Sequence, residues 1–185
     1  MILFVNACVR KESGTLFLAQ EVLKKYDDEV QTVELQNEKL IPLDRERLEL
    51  RNELTEKGEF SDDIFRFAKQ LAKAERIVIA APYWDLSFPS LLKIYIELIC
   101  AMNVTFSYSD EGIPVSHCRA KELVYVTTAG GYIPERNFGF DYIKEVFSGF
   151  FGVKTFRYVK AEGLDIYGND REELLEKTVK EIKND

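Results

Sequence analysis

The chain has 185 residues, 46 % of them apolar and 31 % charged, which predicts one soluble globular domain with a sizeable core. Its net charge of −7 and isoelectric point of about 5.0 argue against a nucleic-acid or anionic-membrane surface, which needs a basic stripe. Cys8, Cys100 and Cys118 are odd in number and lack a C-x-x-C pair, against a disulfide framework or zinc site, and MILFVNACVR has neither a basic leader nor a spanning apolar run. A cytoplasmic protein without nucleic-acid or membrane partners is expected.

In chain order, residues 2–5 form a short apolar run bounded by Asn6, the first strand. Phe17, Leu18, Val22, Leu23 and Tyr26 recur at helical spacing over 14–26. A weaker strand at 29–35 follows, then a charge-rich stretch at 42–58 that suits a lid, a dimer contact or a solvated helix. A helix over 62–74 leads into RIVIAAPYWDLSFP at 76–89. There Ile77 to Ala81 are apolar without a break, as in a parallel strand buried on both faces. Pro82 ends the pairing because it has no N–H, and a strongly apolar helix spans 89–102. Residues 104–116 break the rhythm as an inserted β-hairpin around Ser109-Asp110-Glu111-Gly112. A buried strand at 122–128, a helix at 140–151, a strand at 155–161 and a helix at 170–182 complete a single domain over 1–185. Five strands alternating with helices predict a doubly wound parallel sheet of order 2-1-3-4-5.

That order sets strands one, three and four side by side, so three loops meet at their carboxyl ends, where open α/β sheets bind ligands. Arg10, Ser13, Gly14 and Thr15 open onto a helix N-terminus, with hydroxyls, a planar cation and free N–H groups suited to phosphate. Charge-assisted bonds there contribute roughly 1.5–3 kcal/mol each. Ser13 as a plain N-cap is the competing reading. Pro82, Tyr83, Trp84, Asp85 and Leu86 make a stiffened aromatic loop suited to a flat ring, or an ordinary turn covering the core. Thr128, Ala129, Gly130, Gly131 and Tyr132 are backbone-rich, suited to a ring edge that becomes anionic, or to a tight turn. No G-x-G-x-x-G or G-x-x-x-x-G-K-[ST] is present, against a Rossmann dinucleotide site or a P-loop. Asp44, Glu12 and the lone His117 offer neither a triad nor a metal set. Phosphate, planar ring and anionic edge are the parts of flavin mononucleotide (FMN).

Over nearly its whole length the chain resembles the FMN-dependent NADH:quinone/azo reductases of the flavodoxin-like superfamily. The resemblance rests on NACVRKESGTLFLA, APYWDLSFPSLLKIYIE, TFSYSDEGIPV, TTAGGY and FFGV…YVKAEGLD. It implies that Arg10, Ser13 and Thr15 hold the FMN phosphate, that Pro82 to Leu86 line the isoalloxazine, and that Thr128 to Tyr132 bind its pyrimidine edge. Asp85 stands where many relatives carry asparagine.

The resemblance further implies ping-pong transfer: NADH or NADPH gives hydride to flavin N5, then a quinone or azo compound takes its place and is reduced. The cofactor carries the chemistry while the protein positions it. The Tyr132 hydroxyl and the Gly130–Gly131 amides are expected to stabilise the reduced, anionic flavin. A homodimer is implied as well. Two other classes stay open at this point: a flavodoxin-type one-electron carrier, marked by a stable blue semiquinone, and a flavin-free doubly wound module working through protein contacts.

Overall fold

Apolar runs become the middle of a parallel sheet in the computed structural model, which describes residues 1–184. The strands are β1 (Ile2–Asn6), β2 (Val30–Glu34), β3 (Arg76–Ala80), β4 (Phe106–Tyr108), β5 (Pro114–Ser116), β6 (Glu122–Thr128) and β7 (Thr155–Ala161). Five pair in parallel as β2-β1-β3-β6-β7, and β4 and β5 form a separate antiparallel hairpin. With the hairpin strands set aside, this is the expected 2-1-3-4-5 order.

Around the sheet lie α1 (Gly14–Leu23), α2 (Arg45–Lys57), α3 (Arg66–Lys73), α4 (Ser90–Ile99), α5 (Phe140–Gly149) and α6 (Arg171–Asn184). Strand side chains alternate between faces, so β1, β3 and β6 each feed two cores. Ile2, Phe4, Val78 and Val124 pack against Leu18 and Val22 of α1 and Ile182 of α6. Leu3, Val5, Ile77 and Ile79 pack against Phe67 of α3, Tyr95 and Ile99 of α4 and Phe147 of α5. No helix is long and apolar enough to cross a membrane among the described residues.

Two segments differ from their sequence expectation for local reasons. Helix α1 stops at Leu23, short of Tyr26, whose ring instead lies 4.0 Å beneath the Arg76 guanidinium. The stretch 62–74 splits because Asp62 Oδ1 accepts from the Ile64 N–H and opens a 3₁₀ turn, Asp63–Phe65, before α3. Within 42–58, α2 buries none of its residues inside the chain, and Arg51 Nη1 ties it to the Glu97 carbonyl at 3.2 Å.

The segment between β6 and α5 is pinned by Asn137, which is buried. Its Oδ1 accepts from the N–H groups of Gly139 and Phe140 at 2.9 and 3.1 Å, capping α5 from two residues upstream of Gly139. Its Nδ2 donates to Tyr158 Oη at 2.8 Å, and Ser87 Oγ donates to the Phe138 carbonyl at 3.2 Å. One amide thus ties this segment to β7, and the serine ties it to the loop after β3. Asn137→Ala should cost about 1–3 kcal/mol, read as a lower urea midpoint at unchanged slope.

Candidate active site

Strands β1, β3 and β6 run in register, with Asn6 beside Ala80 and Ala80 beside Val126, so β1 and β3 end level and β6 runs two residues further, to Thr128. Pairing continues into the loops. Ala7 N–H donates to the Ala80 carbonyl at 2.8 Å, Ala81 to Val126 at 3.0 Å, Tyr83 to Thr128 at 2.9 Å, and Ala129 to Ala161 at 2.9 Å. The roots of all three loops are therefore held by backbone bonds, and a cleft of about 170 Å³ opens between them.

The first wall begins at Asn6, whose Oδ1 accepts from the Cys8 N–H at 2.9 Å and turns the chain out of the sheet. Ser13 is the N-cap of α1 and accepts from the Leu16 N–H at 3.2 Å, which leaves Gly14 and Thr15 as the first helical N–H groups. Thr15 is fully buried, and its hydroxyl shares a 2.6 Å hydrogen bond with that of Thr128. The two outer loops are thereby tied together beneath the cleft. Behind them, burial pushes the Cys8 thiol up to about 11, so it is no thiolate nucleophile at neutral pH.

The second wall follows Pro82. Trp84 and Ser87 exchange both backbone hydrogen bonds, 3.1 and 2.7 Å, around Asp85 at φ +49° and Leu86 at φ +66°. This is a two-residue turn with both central residues left-handed, a geometry that favours Asn-Gly or Asp-Gly. Asp85 suits its place, whereas Leu86 bears strain on the order of 1–2 kcal/mol. Backbone strain of this type gathers at functional sites. Tyr83 Oη is buried with no hydrogen-bond partner among the described residues, and desolvation raises its phenol.

The third wall is Thr128 to Gly130, fastened to the chain after β7. Leu164 N–H donates to the Ala129 carbonyl at 3.1 Å, Asp165 to Gly130 at 2.9 Å, and Gly163 to Gly131 at 2.9 Å. A Cβ on Gly130 would lie 2.3 Å from Asp165 Oδ2, whereas one on Gly131 would meet nothing within 4 Å. Of the two glycines, only Gly130 is required by a close approach.

Arg10, Ser13, Gly14, Thr15, Pro82, Tyr83, Trp84, Thr128, Ala129 and Gly130 come together on the cleft wall. Asp85, Leu86, Gly131 and Tyr132 stand outside that lining, all four exposed to solvent. Sequence reasoning missed a fourth wall: Leu164, Asp165 and Arg171, together with Val9 and Glu12 at the rim. One signal was available, a cation at the first position of α6, where the helix dipole favours acids.

A family model described as a flavodoxin-like fold matches residues 1–185. The FMN-dependent NADH:quinone oxidoreductase 2 of Clostridium acetobutylicum is 34 % identical, covering 98 % of this chain and 96 % of that protein. The FMN-dependent NADH:quinone oxidoreductase of Caldicellulosiruptor bescii is 32 % identical over 96 % of this chain and 92 % of its own. Among solved structures, an azoreductase from Bacillus anthracis superposes with a TM-score of 0.84 at 23 % identity, covering 99 % of this chain and 96 % of that one. A second, an FMN-dependent NADH-azoreductase of B. anthracis solved in complex with FMN, gives 0.78 at 20 % identity over 99 % and 95 % of the two chains. In architecture and along its full length, the chain belongs to the flavodoxin-like family that includes the FMN-dependent NADH:quinone oxidoreductases.

Proposed function

We propose that the protein is an FMN-dependent NADH:quinone or azo oxidoreductase that carries its cofactor in this cleft. The observation that supports the reading is the meeting of three chemically distinct walls at one edge of the sheet. The walls fit the group part by part. The first turn of α1 offers N–H groups and the positive end of its dipole to a phosphate, with Ser13 and Arg10 beside it. Pro82, Tyr83 and Trp84 offer a flat, stiff side to a ring system. Thr128, Ala129 and Gly130 offer main chain to the ring's polar edge, and the lack of a Cβ at Gly130 lets the Asp165 side chain close the wall beside it.

Bound there, FMN would take hydride from NADH and pass two electrons to an aromatic acceptor, the two substrates using one site in turn. The chain's own tasks are to bind, orient and shield. Thr15 acts from below by fixing Thr128 through their shared hydroxyl bond. Trp84, Leu86, Phe138 and Tyr132 are exposed around the aromatic loop and the segment that follows β6. They supply flat apolar contact for a quinone or azo compound, and the Tyr132 hydroxyl remains a candidate for holding developing negative charge. Tyr108, Ile113 and Val115 on the hairpin add further exposed apolar area, which supports a homodimer. The three free cysteines support a reducing, cytoplasmic setting.

The purified protein should be yellow, or turn yellow with added FMN, and should oxidise NADH in the presence of menadione. A colourless protein that takes up no FMN would overturn the reading. Gly130→Ala supplies a second test. Rotation of the exposed Asp165 side chain relieves its carboxylate, but its Cβ stays 3.2 Å from the new methyl, so a modest loss of stability is expected and is measured alongside binding. The methyl and the displaced carboxylate then intrude on the cleft, and the FMN dissociation constant should rise about tenfold. Equal FMN affinity in wild type and variant would remove Gly130 from the site.

A further inference from the structure

The fourth wall of the cleft holds a cation that none of the three loops supplies. Arg171 begins α6, where the helix dipole opposes positive charge and where Glu172 and Glu173 take the favourable places. The placement is explained by what the guanidinium faces. Its Nη2 lies 3.3 Å from where a Gly14 Cβ would stand, so it rests on the first residue of α1. Its Nη1 reaches Asp165 Oδ1 at 3.5 Å, a long contact between two partly exposed groups. The Asp165 carboxylate lies in turn against Gly130, and its backbone N–H donates to the Gly130 carbonyl at 2.9 Å. One arginine and one aspartate thus bridge the phosphate loop and the third loop across the cleft.

A 3.5 Å pair open to water is weakly bound and easily exchanged. A phosphate at the N-terminus of α1 would lie on the Gly14 side of the same guanidinium and carry more charge than a carboxylate. It would accept from Arg171 through two parallel N–H groups, the geometry that arginine favours with phosphates. Building on the FMN site proposed above, we propose that Arg171 is a second phosphate-binding residue, held by Asp165 until the phosphomonoester of the cofactor displaces the carboxylate. Asp165 keeps the cation in place and balances its charge while no phosphate is bound. Arg171 then discriminates a phosphorylated flavin from the unphosphorylated one.

The test is titration of the full-length, flavin-free chain with FMN and, separately, with riboflavin, followed by quenching of flavin fluorescence. Wild type should bind FMN more tightly than riboflavin. Arg171→Gln should weaken FMN about tenfold, the loss of one charge-assisted contact, and leave riboflavin within about twofold. Arg171→Lys, which keeps the charge but not the fork, should fall between the two. Asp165→Asn frees the arginine and should bind FMN at least as tightly as wild type. Equal weakening of both flavins by Arg171→Gln and Arg171→Lys, or no weakening of FMN, would overturn the assignment. Weaker FMN binding by Asp165→Asn would overturn the exchange. Failure of wild type to bind either flavin would sink the cofactor site itself and this inference with it, whereas a wild type that binds FMN with Arg171→Gln unchanged would sink the inference alone.

Discussion

The common register of β1, β3 and β6 is the constraint on which the cleft depends. Parallel strands in register send their following loops out along one edge, and backbone bonds from Ala7, Ala81 and Tyr83 extend that alignment beyond β1 and β3 to the end of β6. A slip of one residue in any pair would reverse which side chains face each core. It would also set Ser13, Tyr83 and Gly130 at different levels. The alternating packing of Ile77 and Ile79 on one face and Val78 and Ala80 on the other opposes such a slip. Burial of each large aliphatic side chain contributes roughly 1.5–3 kcal/mol to keeping that register. The core therefore sets the geometry of the site as well as the stability of the domain.

On this scaffold the polar contacts are few and local. The Thr15–Thr128 hydroxyl bond closes the floor of the cleft, Asn137 holds the segment after β6 to β7, and Ser87 ties the strained turn at Asp85–Leu86 to Phe138. The charges that line the cleft balance: Arg10 and Arg171 face Glu12 and Asp165 within a chain of net charge −7. In the proposed site, affinity for an anion would come from directed donors, the first N–H groups of α1 and the forks of two arginines, and not from an overall positive field.

The strand order and the three loops were legible because each rests on a short-range pattern. Apolar runs bounded by turn residues gave β6 and β7 their observed limits, and proline, paired glycines and a serine before a helical period marked the loops. What sequence could not carry was direction and distance. Thr15 has the residue type of a phosphate ligand, yet helical geometry turns its hydroxyl inward to Thr128. Asp85 and Leu86 adopt left-handed backbone with neither glycine nor asparagine to announce it. Gly130 and Gly131 look equivalent as letters, but only the first is pressed by a carboxylate. Asp165 and Arg171 arrive from the far end of the chain, so their place in the cleft follows from tertiary contacts, the Asp165 backbone bond to Gly130 and the packing of α6 on α1.

The central claim is that a flavin mononucleotide lies across these loops with its phosphate at the start of α1. A crystal structure of the protein grown with FMN tests it most directly. The account predicts phosphate density within hydrogen-bond distance of the Gly14 and Thr15 N–H groups, and the isoalloxazine between Tyr83–Trp84 and Ala129–Gly130. Flavin bound at another edge of the sheet, or a cleft filled by the protein's own side chains at saturating FMN, would contradict it.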